Sequence, residues 1–362
     1  MKKKFGGITS VLLIIVSIHV NAQTKSVKDL ATGFLDTIQM YSIVSHELNW
    51  ESVRPAFFEK IKDVQSLNDL YPHFKNFVKT LKDRHSDILF KEIDDEVEDD
   101  SDMEEYYARL TDKEAGLPPK EYAHYMIENR YAYIKVPFVV LEQRAYVDTI
   151  GAQLLLLDKQ NPEAWIIDLT GNDGGAITPM IWQFASLIDQ TETFSFIDNR
   201  GNEEYQRKIF DQVKNKDKRY YELVKLQYDS VKPVLLKNTK VPVVILTSNI
   251  TSSSAEFFVA CFKGQENVTV IGQTTSGQTS GNETFSLNNN YMLNLTTTLV
   301  KDRTGKVYKI GEGIAPDKKF DIGLNIKAPF KQRYKHVIDS KELYIREAVL
   351  FLNSMRTETL KR

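Results

Sequence analysis

The chain has 362 residues, of which 42% are hydrophobic and 27% are charged. This length is large for one ordinary domain and small for three, and the composition excludes collagen-like, low-complexity and wholly disordered proteins. The formal net charge of −2 excludes a protein built around a global basic field for nucleic acid. Because Cys261 is the single cysteine, a disulfide scaffold and a cysteine-based zinc site are excluded as well.

The first 22 residues have the three-part pattern of a secretory signal peptide. Lys2, Lys3 and Lys4 form a basic start, an apolar stretch covers 11–20, and small residues precede a cleavage site after Ala22. A membrane anchor would need about 20 apolar residues, and this stretch is shorter. We therefore expect a periplasmic or secreted protein whose formal charge, without the three lysines, is −5. No later segment is apolar and long enough to predict a membrane span.

The region 23–115 is predicted to be helical, with an acidic loop near its end. Apolar residues recur at helical spacing through 27–90, as in Leu30, Phe34 and Ile38. Ten of the 14 residues in 92–105 are Asp or Glu, a density typical of a solvated loop. A calcium site is the alternative there, but the run lacks the spacing and central glycine of an EF-hand.

From residue 116 to about 325 the pattern changes to strands alternating with helices, which predicts a layered α/β domain. Strands are predicted at 131–140, 164–169, 241–246, 268–271 and 292–300, and helices at 177–188 and 254–263. The charged stretch 194–240 is interpreted as an inserted helical excursion. The last region, 326–362, is predicted to contain an amphipathic helix at 341–355.

Several standard functional motifs are absent from the sequence. It contains no G-x-S-x-G elbow, no Walker A sequence, no G-x-G-x-x-G after a strand and no H-E-x-x-H. The five histidines that follow the signal peptide are scattered along the chain. We therefore predict no metal site and no cofactor.

A strand that leads into a helix carries the first candidate site. The predicted strand 241–246 runs through a Ser/Thr cluster to Ser253 and Glu256 and then into a helix. A serine at such a junction lies at the positive end of the helix dipole, where backbone N–H groups can bind an oxyanion. The Ser-x-x-Glu spacing is also that of a capping box, which needs no chemistry. The two roles are compatible in one helix start.

Two further segments are candidates for the same site. Asp168 begins a segment with adjacent glycines, Gly174 and Gly175, again at the end of a strand, where the backbone can approach a ligand closely. The alternative is a tight turn without function. The segment 83–86 contains His85 in an Asp-x-His-Ser context, and a lone histidine is often structural.

Taken in chain order, these segments resemble the tail-specific, or C-terminal-processing, serine peptidase family, whose other branch includes tricorn-like proteases and retinoid-binding repeats. The matching pieces lie at 83–86, 164–175, 243–256, 270–277 and 311–317. The resemblance implies an α/β fold with a layered crotonase/ClpP-like peptidase core, preceded here by the helical N-terminal segment. It also implies a peptide or protein substrate. The peptide-binding PDZ module of the family has no evident counterpart.

The resemblance also implies a role for each residue of the nucleophile segment. Ser253 matches the family's nucleophile, and Ser254 supplies one backbone N–H of the oxyanion hole. Gly174 or Gly175 supplies the other. In the processing branch a lysine acts as the base, but the corresponding position here is Gln278, which cannot accept a proton at neutral pH.

The tricorn-like branch uses a histidine near the start of the domain, and His85 stands at that position. That branch orients its histidine through a neighbouring serine and a late glutamate. Here the residue before the histidine is Arg84, so Ser86 and Glu312 are the candidates for orienting the His85 ring.

Two functions remain open: a secreted serine endopeptidase that uses Ser253 and His85, and a catalytically impaired relative that binds a peptide or an apolar ligand in the same cleft.

Overall fold

The computed structural model describes residues 26–83, 85–90, 111–190, 192–206, 231–288 and 290–360. The predicted signal peptide and the acidic run 92–105 lie outside these residues. Their predictions therefore have no structural counterpart below.

The described residues of the N-terminal part contain the helices α1 (Val27–Tyr41), α2 (Trp50–Lys60) and α3 (Tyr71–Leu81). A capping box at Ser26 and Asp29 starts α1, and the apolar residues at helical spacing face inward, as the sequence predicts. Phe34 and Phe74 stack with ring centroids 4.1 Å apart in this core. Single 3₁₀ turns, Ser45–Glu47 and Asn68–Leu70, connect the helices.

One sheet is mainly parallel. Its strands are β2 (Ala123–Ile127), β3 (Tyr131–Lys135), β4 (Ala164–Asp168), β7 (Val243–Thr247), β8 (Val268–Gly272) and β11 (Lys318–Lys319). Their order across the sheet is β11-β8-β7-β4-β3-β2. Only β2 runs antiparallel to its neighbour. β4 and β7 are buried along their whole length, as expected of strands covered by helices on both faces.

Helices cover both faces of this sheet. The larger core packs α4 (Gln143–Asp158), α5 (Ile177–Trp182) and α6 (Ser254–Phe262) against one face. A core on the other face includes residues of α7 (Phe330–Asp339) and α8 (Lys341–Leu360). A 3₁₀ turn, Ala185–Leu187, follows α5. This layering is the predicted α/β architecture.

The second sheet is antiparallel and joins the N-terminal part to the α/β body. Its strands are β1 (Asp87–Phe90), β5 (Phe194–Asp198), β6 (Glu203–Gln206), β9 (Ser280–Ser286) and β10 (Tyr291–Asp302). Their order is β1-β10-β5-β6, and β9 also pairs with β10. Because β1 follows the N-terminal helices and pairs with β10, the helical core packs directly on this sheet.

The prediction of a helical excursion over 194–240 is wrong in its described first part. Residues 194–206 form the hairpin β5–β6. Gly201, with φ of +81°, occupies a backbone conformation that suits glycine, and Asp198 Oδ1 accepts hydrogen bonds from Arg200 and Asn202 N–H. The local turn therefore overrides the charged composition on which the helix was predicted.

Two structural observations bear on membranes and metals. Within the described residues, none of the helices combines the length and apolar character that crossing a bilayer requires. In the same part of the chain, no cluster of His, Cys, Asp and Glu side chains is arranged to hold a metal ion.

Candidate active site

Ser253 lies at the sharp turn between β7 and α6 and has an unusual backbone. Its φ is 51° and its ψ is −121°, a region that residues with a Cβ rarely adopt. The side chain is buried at 1% exposure, and α6 begins at the next residue. A strained serine between a buried strand and a helix N-terminus is the geometry of a nucleophile elbow.

Hydroxyl groups hold the turn before Ser253 against the neighbouring loop after β4. Ser248 Oγ donates to the carbonyl of Thr170 at 2.6 Å, and Thr251 Oγ1 donates to the carbonyl of Leu169 at 2.8 Å. Ser252 N–H donates to the carbonyl of Asn172 at 3.1 Å. The Ser/Thr cluster of the sequence therefore connects the ends of two adjacent parallel strands.

The two glycines of the β4 loop have different surroundings. Gly174 N–H donates to Asn172 Oδ1 at 2.9 Å, so this N–H group already has a hydrogen-bond acceptor. Gly175 has φ of +111°, and a Cβ there would lie 2.0 Å from the carbonyl oxygen of Val139. Only glycine fits this approach.

Gly175 and Ser254 are neighbours across the turn. Ser254 Oγ donates to the carbonyl of Gly175. Among the described residues, the N–H groups of Gly175 and Ser254 have no hydrogen-bond acceptor. These two N–H groups are the ones available for an oxyanion, whereas Gly174, the other candidate from the sequence, is not.

Glu256 is fully buried three residues after Ser253 and binds the backbone on both sides of the turn. Its Oε2 accepts from Ser253 N–H at 2.9 Å, which completes the predicted capping box. Its Oε1 accepts from Gly277 N–H at 3.0 Å and from Thr275 Oγ1. Burial raises the pKa of this carboxyl group to about 7, although the hydrogen bonds that it accepts act in the opposite direction.

Gln278 occupies the position where the processing branch has lysine. Its Oε1 accepts from Ser252 Oγ at 2.9 Å, and Ser252 Oγ in turn accepts from Ser276 Oγ at 2.8 Å. The amide is therefore fixed beside the residue that precedes Ser253. It supplies no basic group there.

His85 is buried just before β1, and its ring meets the start of β9. The ring Nδ1 lies 3.2 Å from Ser280 Oγ. The His85 carbonyl accepts from Asn282 Nδ2 at 2.7 Å and from Asn294 Nδ2 at 3.3 Å. Burial lowers the pKa of His85, and the nearby Asp83 carboxylate opposes this effect. The ring is therefore neutral near pH 7.

The two residues suggested by the sequence as orienting His85 make other contacts. Ser86 Oγ donates to Asp83 Oδ2 at 2.6 Å and accepts from Thr296 N–H at 2.8 Å. Glu312 forms an ion pair with Lys306 at 2.7 Å and accepts from Lys309 N–H. Among the described residues, neither Ser86 nor Glu312 makes a hydrogen bond to the His85 ring.

One loop connects the surroundings of Ser253 with those of His85. It runs from the end of β8 at Gly272 to the start of β9 at Ser280, and it contains Gly277 and Gln278. Gly277 binds Glu256, Gln278 binds Ser252, and Ser280 contacts the His85 ring. Sequence reasoning missed Ser280, although the alternating polar residues at 280, 282 and 284 are a visible strand pattern.

The chain is similar in sequence to a known family and to a known protein. The sequence profile of peptidase family S41 matches residues 130–320. A nisin-resistance protein from Lactococcus lactis subsp. lactis is 30% identical over 161 residues, which are 44% of this chain and 47% of that protein. The chain thus aligns with about half the length of this relative.

Solved structures share the fold over nearly the whole chain. A lipoprotein from Streptococcus agalactiae has 25% identity and a TM-score of 0.65, covering 93% of this chain and 100% of its own. The photosystem II D1 C-terminal processing protease has 11% identity and a TM-score of 0.54, covering 86% of this chain and 97% of its own. The family profile matches more than half of this chain. The chain therefore belongs to peptidase family S41, the serine peptidases that its motifs resemble.

Proposed function

We propose that this protein is an exported serine endopeptidase that cleaves peptide bonds through an acyl-enzyme on Ser253, with His85 as the base. The observation that carries the proposal is the backbone of Ser253, whose φ of 51° at a strand–helix turn is a strained conformation for a residue with a Cβ. Strain of this kind persists where the surrounding contacts enforce it, and it is common at catalytic residues.

The histidine is suited to the role of base because its burial keeps the imidazole neutral near pH 7. If Nδ1–H donates to Ser280 Oγ, the lone pair is on Nε2, and this nitrogen takes the proton of the Ser253 hydroxyl. Gln278 is bound to Ser252 and has no lone pair of useful basicity, so a lysine-type mechanism is not available. His85 is therefore assigned the proton transfers.

The proposed reaction uses these groups in sequence. Ser253 Oγ attacks the peptide carbonyl, and the N–H groups of Gly175 and Ser254 stabilise the oxyanion that forms. His85 gives its proton to the departing amine, which leaves the acyl group on Ser253. Water then attacks the acyl group while the same imidazole takes its proton, and the free serine is restored.

The export and the substrate are part of the same proposal. The signal-peptide pattern, with cleavage after Ala22, supports a periplasmic or secreted enzyme, and the structural relative described as a lipoprotein is consistent with a location outside the cytoplasm. Nisin is one substrate to test, because a relative is named for resistance to it.

The domain division that the sequence predicts, at 115/116, would place His85 and Ser253 in different regions of the chain.

Gln278 supports a second candidate, a relative that binds a peptide or an apolar ligand without cleaving it. A fluorophosphonate probe separates the two functions, because it reacts with a serine only where a base and an oxyanion hole activate it. We expect labelling of the wild type and of Ser354→Ala, an exposed control on α8, and none of Ser253→Ala. A cooperatively folded wild type that stays unlabelled would favour the binding protein.

A further inference from the structure

A row of polar side chains extends from His85 along one face of the antiparallel sheet. Ser280, Asn282 and Thr284 are alternate residues of β9 and therefore share a face. Asn294 of β10 is the direct register partner of Thr284 and lies on the same face. We call these four residues the polar row. Ser280 contacts the His85 ring, and the two asparagines bind the His85 carbonyl.

Three members of the polar row have buried polar atoms without a partner. Within the described part of the chain, Asn282 Oδ1, Thr284 Oγ1 and Asn294 Oδ1 make no hydrogen bond. These residues are only 2%, 5% and 4% exposed. Leaving a buried polar atom unpaired costs about 1–3 kcal/mol, so three such atoms together are unusual in a native protein.

The unpaired atoms are hydrogen-bond acceptors, so a ligand that binds them must supply donors. Both asparagine amides already use their nitrogen on the His85 carbonyl, which fixes their oxygens as acceptors. The Thr284 hydroxyl can accept as well. The row therefore offers two amide oxygens and one hydroxyl, a set that suits an amine or an amide and not a carboxylate.

The row reaches the protein surface at the end that is distant from His85. Ser286, the next residue of β9 on this face, is exposed, and its register partner Met292 is half-buried. Leu89 of β1 pairs with Met292 and is 42% exposed. Solvent therefore reaches this face at Ser286 and Leu89, whereas the three unpaired atoms themselves are buried.

We propose that the polar row is a specificity subsite that binds a substrate residue with an amide or amine side chain. This inference rests on the proposed function for the position of the scissile bond. The bound side chain donates to Asn282 Oδ1, Asn294 Oδ1 and Thr284 Oγ1. An apolar side chain in the same place would leave the three atoms unpaired, and a site of this kind discriminates strongly against analogues that lack the donor.

The first experiment measures binding, so that it does not depend on cleavage. Ser253→Ala is titrated with fluorescent peptides in which each residue in turn is Gln, Lys or norleucine. At one position we expect Gln or Lys to bind at least about tenfold more tightly than norleucine. The same tenfold preference is expected in kcat/KM of the wild-type enzyme.

Thr284→Val then removes one acceptor with little change in volume. Asn282 and Asn294 are left in place because both hold the His85 carbonyl. We expect Thr284→Val to lose part of the preference, through a higher KM for the Gln and Lys peptides, while the rate of fluorophosphonate labelling stays unchanged. The matched control is Thr297→Val on the opposite face of β10, where the hydroxyl binds Glu283, and it should keep the preference.

The outcomes separate this inference from the proposed function. Equal affinity of the Gln, Lys and norleucine peptides at every position would mean that the row holds only buried water, and it would overturn the inference. The same conclusion follows if the preference survives undiminished in Thr284→Val. Absent labelling combined with a retained binding preference would instead reject the peptidase and keep the subsite.

Discussion

The two halves of the candidate site are built in different ways. The half around Ser253 is made at the ends of parallel strands, where the hydroxyls of Ser248 and Thr251 bind carbonyls of the adjacent loop. The half around His85 is made on an antiparallel sheet, where Asn282 and Asn294 hold the backbone and Ser280 meets the ring.

The difference lies in how completely the polar groups are paired. Around Ser253 the side-chain oxygens of Glu256, Ser252 and Ser254 all have partners, and the two free N–H groups are those needed for an oxyanion. Around His85, within the part of the chain that the structure describes, Asn282 Oδ1, Thr284 Oγ1 and Asn294 Oδ1 are unpaired. The half around Ser253, where the polar side chains are paired, holds a nucleophile in a fixed position. The half around His85, where acceptors are left unpaired, suits a surface that selects among substrates.

The largest expected effect concerns the base. His85→Gln should lower the rate of fluorophosphonate labelling by about 10²–10⁴-fold, because general-base assistance contributes that much. In the wild type, burial lowers the pKa of His85, so the imidazole stays unprotonated to lower pH and the rate should fall only below about pH 6.5. The rate of fluorophosphonate labelling, measured in quenched samples across pH 4.5–8, reports both effects.

The pH profile of the variant provides the control. The acid limb should disappear in His85→Gln, since the titrating group is gone. A limb centred near pH 7 that persists in this variant would instead report the Glu256 carboxyl, whose pKa is about 7, and would contradict the assignment of the profile to His85.

A smaller effect is expected in the oxyanion hole. In Gly175→Ala the new Cβ collides with the Val139 carbonyl, and the displaced N–H should lower kcat by about 10²–10³-fold. Gly201→Ala is the matched control, because its φ is also positive, at +81°, but a Cβ there has open space. It should cost only about 1–2 kcal/mol of stability and leave kcat intact. Equal losses of activity would mean that backbone strain, not the oxyanion, is responsible.

The smallest effect compares two candidates for orienting the histidine. Ser280→Ala removes the hydroxyl at Nδ1 and should lower kcat by roughly tenfold through a less defined tautomer. Glu312→Gln, whose partner is Lys306, should change kcat by less than about twofold, since an exposed ion pair contributes little. The reverse ranking would restore the late glutamate to the role that the family resemblance suggests.

The sequence predicts the Ser253 half better than the His85 half. Ser253, Glu256 and the glycines lie in short segments whose spacing has a local physical meaning, such as a capping box or a close backbone approach. The contact between His85 and Ser280 joins residues 195 positions apart, and no local pattern encodes it. The hairpin at 194–206 was missed because composition outweighed the turn at Gly201.

Cys261 gives the protein a practical property for all of these measurements. It lies in α6 with no exposed surface, and burial raises the pKa of its thiol to about 12. Maleimide reagents attack thiolates, so the native chain should behave as if it had no cysteine. A cysteine introduced at an exposed position such as Leu155 would then be the single reactive thiol, and dyes could be attached there without first removing the native one.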